Sequence, residues 1–195
     1  MPAGEFFATL RHHLPMPDLA PILSKQDVTQ RIERIAQAIQ ERSPGKDLAL
    51  VGIYRRGVPL AERLYTLLKP HFPDLNIGRV DISLYRDDLK ALELIPKLVG
   101  SELAFDLDGR HVILCDEVLH TGRTARAALD ELLEYGRPRK VELAVLVDRE
   151  GRELPIAADY VGERVTIKPE ERIAVRFVEV DGEDAVYVQQ GGARR

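Results

Sequence analysis

With 195 residues, 45% of them hydrophobic, the chain is long enough to bury one substantial core and too short to argue for two independent domains. A charged fraction of 31% and a formal net charge of -4 fit an ordinary soluble protein, so any nucleic-acid surface has to be a local basic patch. The single cysteine, Cys115, rules out an intrachain disulfide, argues against a cysteine-based metal site and favours a reducing cytoplasm, while the absence of a secretory start or of an apolar run near ~20 residues argues against a membrane protein.

In chain order, the first two dozen residues carry Pro2, Pro15, Pro17 and Pro21 without periodicity and are read as an irregular arm, in which His12 and His13 are solvated neighbours. Ser24 followed by Asp27 predicts a helix start, with Val28, Ile32, Ile35, Ala36 and Ile39 on its inward face, Arg31, Arg34 and Arg42 on the other, and an end near Ser43. Leu48 to Ile53 is an apolar run suited to a buried parallel strand. Gly57-Val58-Pro59 then opens a second helix with Leu60, Ala61, Leu64, Leu67 and Leu68 inward. Val80, Ile82 and Leu84 alternate with Arg79, Asp81 and Ser83, which predicts a strand with one polar face. The stretch from Asp88 to about Ser101 has no firm period and reads as a loop.

His111 to Cys115 is a second buried strand, Thr124 to Tyr135 a helix with Ala128, Leu129, Leu132 and Leu133 inward, and Val141 to Val147 a third buried strand. Ile173 to Phe177 and Ala185 to Val188 read as two strands joined through an Asp181-Gly182 turn. Alternating strands and helices imply an α/β fold with a mainly parallel sheet covered on both faces, whose ligands sit beyond the carboxyl ends of the strands. Three loops there become candidates: 52–57, 116–124 and 148–153.

The loop at 116–124 carries the most chemistry. A buried strand leads into Asp116 and Glu117, and Thr121-Gly122-Arg123-Thr124 then runs into a helix. Gly122 lets the backbone approach a ligand, free N–H groups at the helix start face an anion, and the Thr121 and Thr124 hydroxyls add donors, so the turn suits a phosphomonoester. The two carboxylates are acceptors for paired ribose hydroxyls. An isolated Thr-Gly-x-Thr is also what a helix cap looks like; the four preceding apolar residues and two acids make the combination specific. Neither a Gly-x-Gly-x-x-Gly nor a Walker-type run is present.

This loop resembles the phosphoribosyl pyrophosphate (PRPP) motif of type I phosphoribosyltransferases. From about Ser24 to Val188 the chain is similar to the family of bifunctional pyrimidine-operon regulators and uracil phosphoribosyltransferases called PyrR. The most specific matches are Asp81 to Leu89, Thr121 to Ala127, and Leu146-Val147-Asp148-Arg149 with Arg152 to Ile156. The resemblance implies a type I phosphoribosyltransferase fold with a small hood: an arm over 1–23, one domain over 24–190 and a tail over 191–195. It implies conversion of uracil and PRPP to UMP and pyrophosphate with magnesium carried largely by PRPP, in a homodimer or homotetramer.

By the same resemblance His120, Thr121, Gly122, Arg123 and Thr124 hold phosphate, Tyr54, Arg55, Arg56 and Gly57 form the pyrophosphate loop, and Asp116, Glu117, Tyr85 and Arg86 serve the reaction. A solvated turn is the other reading of Arg55 and Arg56, and strand-end packing that of Tyr85. Asp148, Asp159, Tyr160 and Val161 are candidates for base binding in the hood, Asp148 either holding a metal-bound water or capping its strand. The alternatives are a mainly RNA-binding regulator and a transferase for another base such as hypoxanthine.

The chain departs from the family at several of these positions. Glu117 stands at a usual aspartate, His120 at a usual tyrosine and Arg55 at a usual threonine; His120 either makes activity pH-dependent or is a bystander. Arg34 and Arg152 match the surface that binds pyrimidine-operon leader RNA. Glu33, Gln37, Gly151, Ala157 and Glu163 stand where relatives carry threonine, histidine, histidine, arginine and lysine. Each lost cation removes counterion release and each carboxylate repels phosphate, so weaker or altered RNA binding is expected.

Overall fold

The computed structural model describes residues 20–43, 47–83 and 100–191. Helix α1 (Lys25–Arg42) starts at the predicted cap: the Ser24 hydroxyl accepts from the Asp27 N–H and the Asp27 carboxylate accepts from the Ser24 N–H, a reciprocal capping box. Its buried residues are Val28, Ile32, Ile35, Ala36 and Ile39, the stripe that the spacing predicts. Strand β1 (Leu48–Ile53) is buried along its length, and helix α2 (Gly57–Leu68) follows with Leu60, Leu64 and Leu68 one turn apart against it. Leu67 does not join them. It is 39% exposed, because it lies beside the stripe that those three residues define.

Strand β2 spans Asn76–Val80 and ends before the alternation that suggested a strand through Leu84. The Asp81 carboxylate is the physical reason: Oδ1 accepts from the N–H and hydroxyl of Ser83, and Oδ2 from the Gly100 N–H at 3.2 Å. These bonds turn the chain away from the sheet, so Asp81, only 8% exposed, is a buried anchor rather than part of a polar face. The stretch 84–99, with Leu84, lies outside the described residues.

Strand β3 (His111–Leu119) runs four residues past its predicted end, through both acids. Helix α3 (Arg123–Leu133) buries Ala125, Ala128 and Leu132; Leu129 is half-buried and Leu133, expected inward, is 54% exposed at the helix end. Strands β4 (Lys140–Arg149) and β5 (Tyr160–Val165) complete a five-stranded parallel sheet among the described residues, in the order β2-β1-β3-β4-β5. Helices α1 and α2 cover one face, around Leu48, Leu50, Ile113 and Cys115, and α3 covers the other, around Val51, Ile53, Val112 and Leu114. Each such fully buried aliphatic side chain contributes roughly 1.5–3 kcal/mol.

The chain then leaves the sheet for an antiparallel pair, β6 (Glu171–Arg176) and β7 (Ala185–Gln190). Their connection is not a tight hairpin. It contains the short helix α4 (Val178–Asp181), and Gly182, with φ +82°, ends that helix in the left-handed conformation rather than forming a two-residue turn. Ile22 and Leu23, placed by the sequence in an irregular arm, hydrogen-bond to Val186 and add to the edge of this small sheet.

Candidate active site

Because β2 lies on one side of β1 and β3 on the other, the strand order reverses between β1 and β3, and a parallel sheet opens its crevice beyond the carboxyl ends at that point. The loop that follows β1 and the turn that follows β3 both leave the sheet at that end. Two glycines allow close packing here. A Cβ on Gly57 would stand 2.1 Å from the Cys115 carbonyl oxygen and 3.2 Å from the Asp116 Cα, and one on Gly52 would stand 2.6 Å from the Val58 Cα. The β1–α2 loop therefore packs directly on the strand that carries the acids; its Tyr54-Arg55 peptide bond is cis.

Across those acids the two-residue alternation of β3 slips. Ile113 and Cys115 face the α1–α2 side and so does Val118, while Leu119 packs with the α3 side. Asp116 is 5% exposed and its Oδ1 accepts from the Glu117 N–H at 2.9 Å, whereas Glu117 is half-buried. Cys115 is buried, and burial first, with the Asp116 charge second, pushes its thiol well above the ordinary value, so it packs without reacting.

The turn into α3 is built from backbone. Gly122 adopts φ +92°, the left-handed region open to glycine, and a Cβ there would meet Leu154 at 3.3 Å. The Thr121 hydroxyl accepts from the Arg123 N–H at 3.3 Å, while the Thr121 carbonyl accepts from the N–H groups of Glu153 and Leu154 at 3.0 Å each. Thr124 and Ala125 follow in the first helical turn, where N–H groups have no acceptor within the helix and the helix dipole is positive. Arg123 is tied by its Nε to Glu153 at 2.8 Å. Beside this turn opens a cleft of about 950 Å3 whose lining includes Val118, His120, Arg149, Gly151, Ile167 and Ile173 together with four glutamates. The His120 imidazole lies over Gly151, whose Cβ would stand 2.7 Å from Nε2.

Known proteins are similar to this chain in sequence and in fold. The phosphoribosyl transferase domain family matches residues 19–177. The chain is 48% identical over 171 residues to the bifunctional protein PyrR of Pelotomaculum thermopropionicum, covering 87% of this chain and 94% of that one. It is 46% identical over 169 residues to the PyrR of Thermus aquaticus, with coverage of 86% and 93%. The chain belongs to the PyrR family of phosphoribosyltransferases. Among solved structures, a hypoxanthine-guanine-xanthine phosphoribosyltransferase matches with a TM-score of 0.64 at 19% identity, covering 91% of this chain and 97% of that one. A hypoxanthine phosphoribosyltransferase from Staphylococcus aureus matches with a TM-score of 0.65 at 22% identity, covering 90% and 94%. At such identities these two establish the shared fold, the type I phosphoribosyltransferase architecture.

Within this PyrR-family chain, the sequence-predicted residues do not all come together. Asp116, Glu117, the 120–124 turn and the 54–57 loop converge on the switch point. Tyr85 and Arg86 lie outside the described residues. Asp159 and Tyr160 are brought elsewhere. The Asp159 carboxylate accepts from the Leu143 N–H at 2.9 Å and so caps the start of the β4–β5 pairing. Tyr160 is 2% exposed, and its hydroxyl donates to Glu142 at 2.8 Å in a cluster with His111 and Lys140 at the amino ends of the strands. The Tyr160 ring is thus packed in the core, while Asp159 beside it is exposed. Val161 follows on the same strand, paired with Val145 below the carboxyl edge.

Asp148 and Arg152 are also engaged. Arg152 donates to the carbonyls of His120, of Arg149 at 2.8 Å, of Ile156 at 3.0 Å and of Leu119 at 3.4 Å, and it pairs with Asp148, which Arg164 approaches at 3.7 Å. With its donors turned onto the backbone of the turn after β3, Arg152 clamps that turn, and Asp148 is its ion-pair partner. Arg34 is exposed on α1, near Gln37, which is bonded to Glu41 at 2.9 Å. Arg31 is paired with Glu163 at 2.8 Å.

Sequence reasoning missed Asp81 and Asp181. Asp81 hides in an alternating pattern that resembles a half-solvated strand. Asp181 was read as a turn residue, whereas its carboxylate grips Arg56 through two bonds, at 2.8 and 3.0 Å. Gly182 beside it was the signal that a chain reversal, and hence a connection with its own contacts, begins here.

Proposed function

We propose that this chain transfers the phosphoribosyl group of PRPP to uracil, releasing pyrophosphate and giving UMP, and that it binds pyrimidine-operon leader RNA in response to nucleotide. The observation that carries the enzymatic half is the phosphate turn: a left-handed Gly122 and a first-turn helix N-terminus, set at the topological switch point beside two acids and a loop pressed onto their strand.

In this reading the 5-phosphate sits on the N–H groups opening α3, where backbone dipoles replace its hydration. Asp116 and Glu117 accept from the ribose hydroxyls and so fix the ring. The 54–57 loop receives the pyrophosphate, whose negative charge grows as the anomeric C–O bond breaks, and Arg56 stabilises it. The base lies in the cleft between Val118 and the Ile167 and Ile173 wall. As the new C–N bond forms, uracil N1 gives up its proton to the His120 imidazole that lines that cleft.

The donor set fits a metal carried by substrate. Asp148 is held by arginines, which leaves the Asp116-Glu117 pair as the carboxylates beside the ribose. Magnesium, when bound with PRPP, neutralises pyrophosphate charge and keeps most of its own waters.

For RNA, the supporting features are the PyrR relatives and the exposed arginine face of α1, but Glu163 offsets Arg31 and Arg152 is turned inward. Binding weaker than a fully basic surface would give follows from counterion release. Assembly as a homodimer or homotetramer completes the proposal, and sedimentation of the purified chain checks it.

Turnover of PRPP and magnesium with a panel of free bases tests the central assignment. UMP from uracil, with no product from hypoxanthine or guanine, is expected. Product from a purine and none from uracil would replace uracil as the substrate.

A further inference from the structure

The 54–57 loop and helix α4 are fastened together by arginines. Arg56 presents its Nε and Nη2 to the two oxygens of Asp181, and the same carboxylate accepts from the Phe177 N–H at 3.1 Å. Phe177 is fully buried, so the backbone holding the carboxylate is anchored in the core. Further along α2, Arg63 grips Glu179 at 2.8 and 2.7 Å and Asp184 at 2.6 Å, and lies over the Phe177 ring at 5.0 Å. The Asp184 carboxylate in turn accepts from the Val178 N–H at 3.0 Å. Helix α4 is thereby fixed at two points to the unit that follows β1.

A guanidinium held along its Nε–Nη2 edge has a fixed plane, and its Nη1 donors project from the opposite corner. The Asp181 hydrogen bonds first, and the Asp181 and Glu117 charges after them, favour the charged form of Arg56 against its burial. A long cationic side chain without such a holder would spread over many rotamers and would have to be ordered again each time a ligand bound.

We propose that Asp181 is a positioning residue: it holds Arg56 by one edge so that the opposite donors are pre-aimed at the pyrophosphate of PRPP. This rests on the reading of 54–57 as the pyrophosphate loop. Asp181 touches no reacting atom; it acts through Arg56, and it links that loop to the β6–β7 sheet that forms one wall of the cleft.

The test uses the full-length protein and compares wild type, Arg56→Gln, Asp181→Asn and the double variant. The readouts are KM for PRPP, inhibition by inorganic pyrophosphate, KM for uracil and thermal midpoint. Asp181→Asn should raise KM for PRPP and the pyrophosphate inhibition constant about tenfold while KM for uracil stays within about twofold, since only orientation of the pyrophosphate side is lost. Added to Arg56→Gln it should change neither PRPP constant further. If Asp181→Asn does not fold, Arg56→Lys carries the test: it keeps the charge and leaves the Asp181–Phe177 bond, yet lacks the fork, and should show the same loss.

The proposal is overturned if Asp181→Asn leaves both PRPP constants unchanged, if its effect adds in full to that of Arg56→Gln, or if Arg56→Lys binds pyrophosphate as wild type does. Unchanged PRPP and pyrophosphate constants in Arg56→Gln itself would instead remove the assignment of the 54–57 loop.

Discussion

Replacing Gly57 with alanine would place a methyl group 2.1 Å from the Cys115 carbonyl oxygen, about 1.3 Å short of ordinary contact, with the Cys115 carbonyl carbon at 3.1 Å behind it. Both are backbone atoms of a central strand paired on both sides, so the lighter β1–α2 loop has to move. A shift of about 1 Å in a loop that positions a leaving group is expected to lower kcat/KM by about a hundredfold. Overpacking costs roughly 1–3 kcal/mol, or about 3–10 °C in thermal midpoint for a chain of this size. Gly109→Ala is the control: its φ of +71° imposes backbone strain, but nothing lies within 4 Å and it precedes β3 at the opposite end of the sheet. Steady-state kinetics with PRPP and uracil, normalised to folded protein, should show Gly57→Ala impaired and Gly109→Ala near wild type. Gly57→Ala within threefold of wild type would refute the claim that the loop's approach to β3 sets the site, as would equal losses in both variants.

Other expectations follow from single contacts. Arg152→Gln removes the clamp on the carbonyls of Leu119, His120, Arg149 and Ile156; calorimetry should show weaker PRPP binding and scanning a loss of roughly 1–3 kcal/mol, whereas filter binding of leader RNA by the folded fraction should hardly change. Glu142 is opposed by burial, but hydrogen bonds from Lys140, Tyr160 and His111 outweigh it and hold the carboxyl below its ordinary value of 4.5. A depressed carboxyl stabilises the fold above that value and loses its contribution as pH falls through the lower folded one, so denaturant melts of Glu142→Gln should be less stable at pH 7 and less acid-dependent below about pH 4.5. Glu163→Lys frees Arg31 and adds a cation, so leader-RNA affinity should rise and the slope of log affinity against log salt should steepen by about 1–2.

Where local patterning and tertiary packing agree, the residues alone reveal the structure. The Ser24 capping box, the α1 stripe and the apolar run of β1 each rest on short-range physics, and the structure reproduces them. The strand, turn and helix start around Gly122 were legible for the same reason: their residues are contiguous, from Asp116 to Thr124. Failures came where a distant partner decides. Asp81 alternates like a strand residue, yet its acceptors are claimed by Ser83 and by Gly100, nineteen residues on. The burial of Tyr160 was not legible, because nothing local shows that Glu142 takes its hydroxyl in the core. The partners of Arg152 and Arg56 were not legible either, since the carbonyls of Leu119 and His120 and the Asp181 carboxylate come from other segments.

The central claim is that backbone amides opening α3, with the acids of β3, hold a sugar phosphate. Titration calorimetry with PRPP and magnesium, on wild type and on Gly122→Val, tests it most directly: valine cannot adopt φ +92° without strain, and its branched carbon would crowd Leu154 and Ile156. Saturable heat for wild type and a loss of at least about tenfold in affinity for the folded variant are expected. No heat with wild type, or equal affinity for both proteins, would contradict the account.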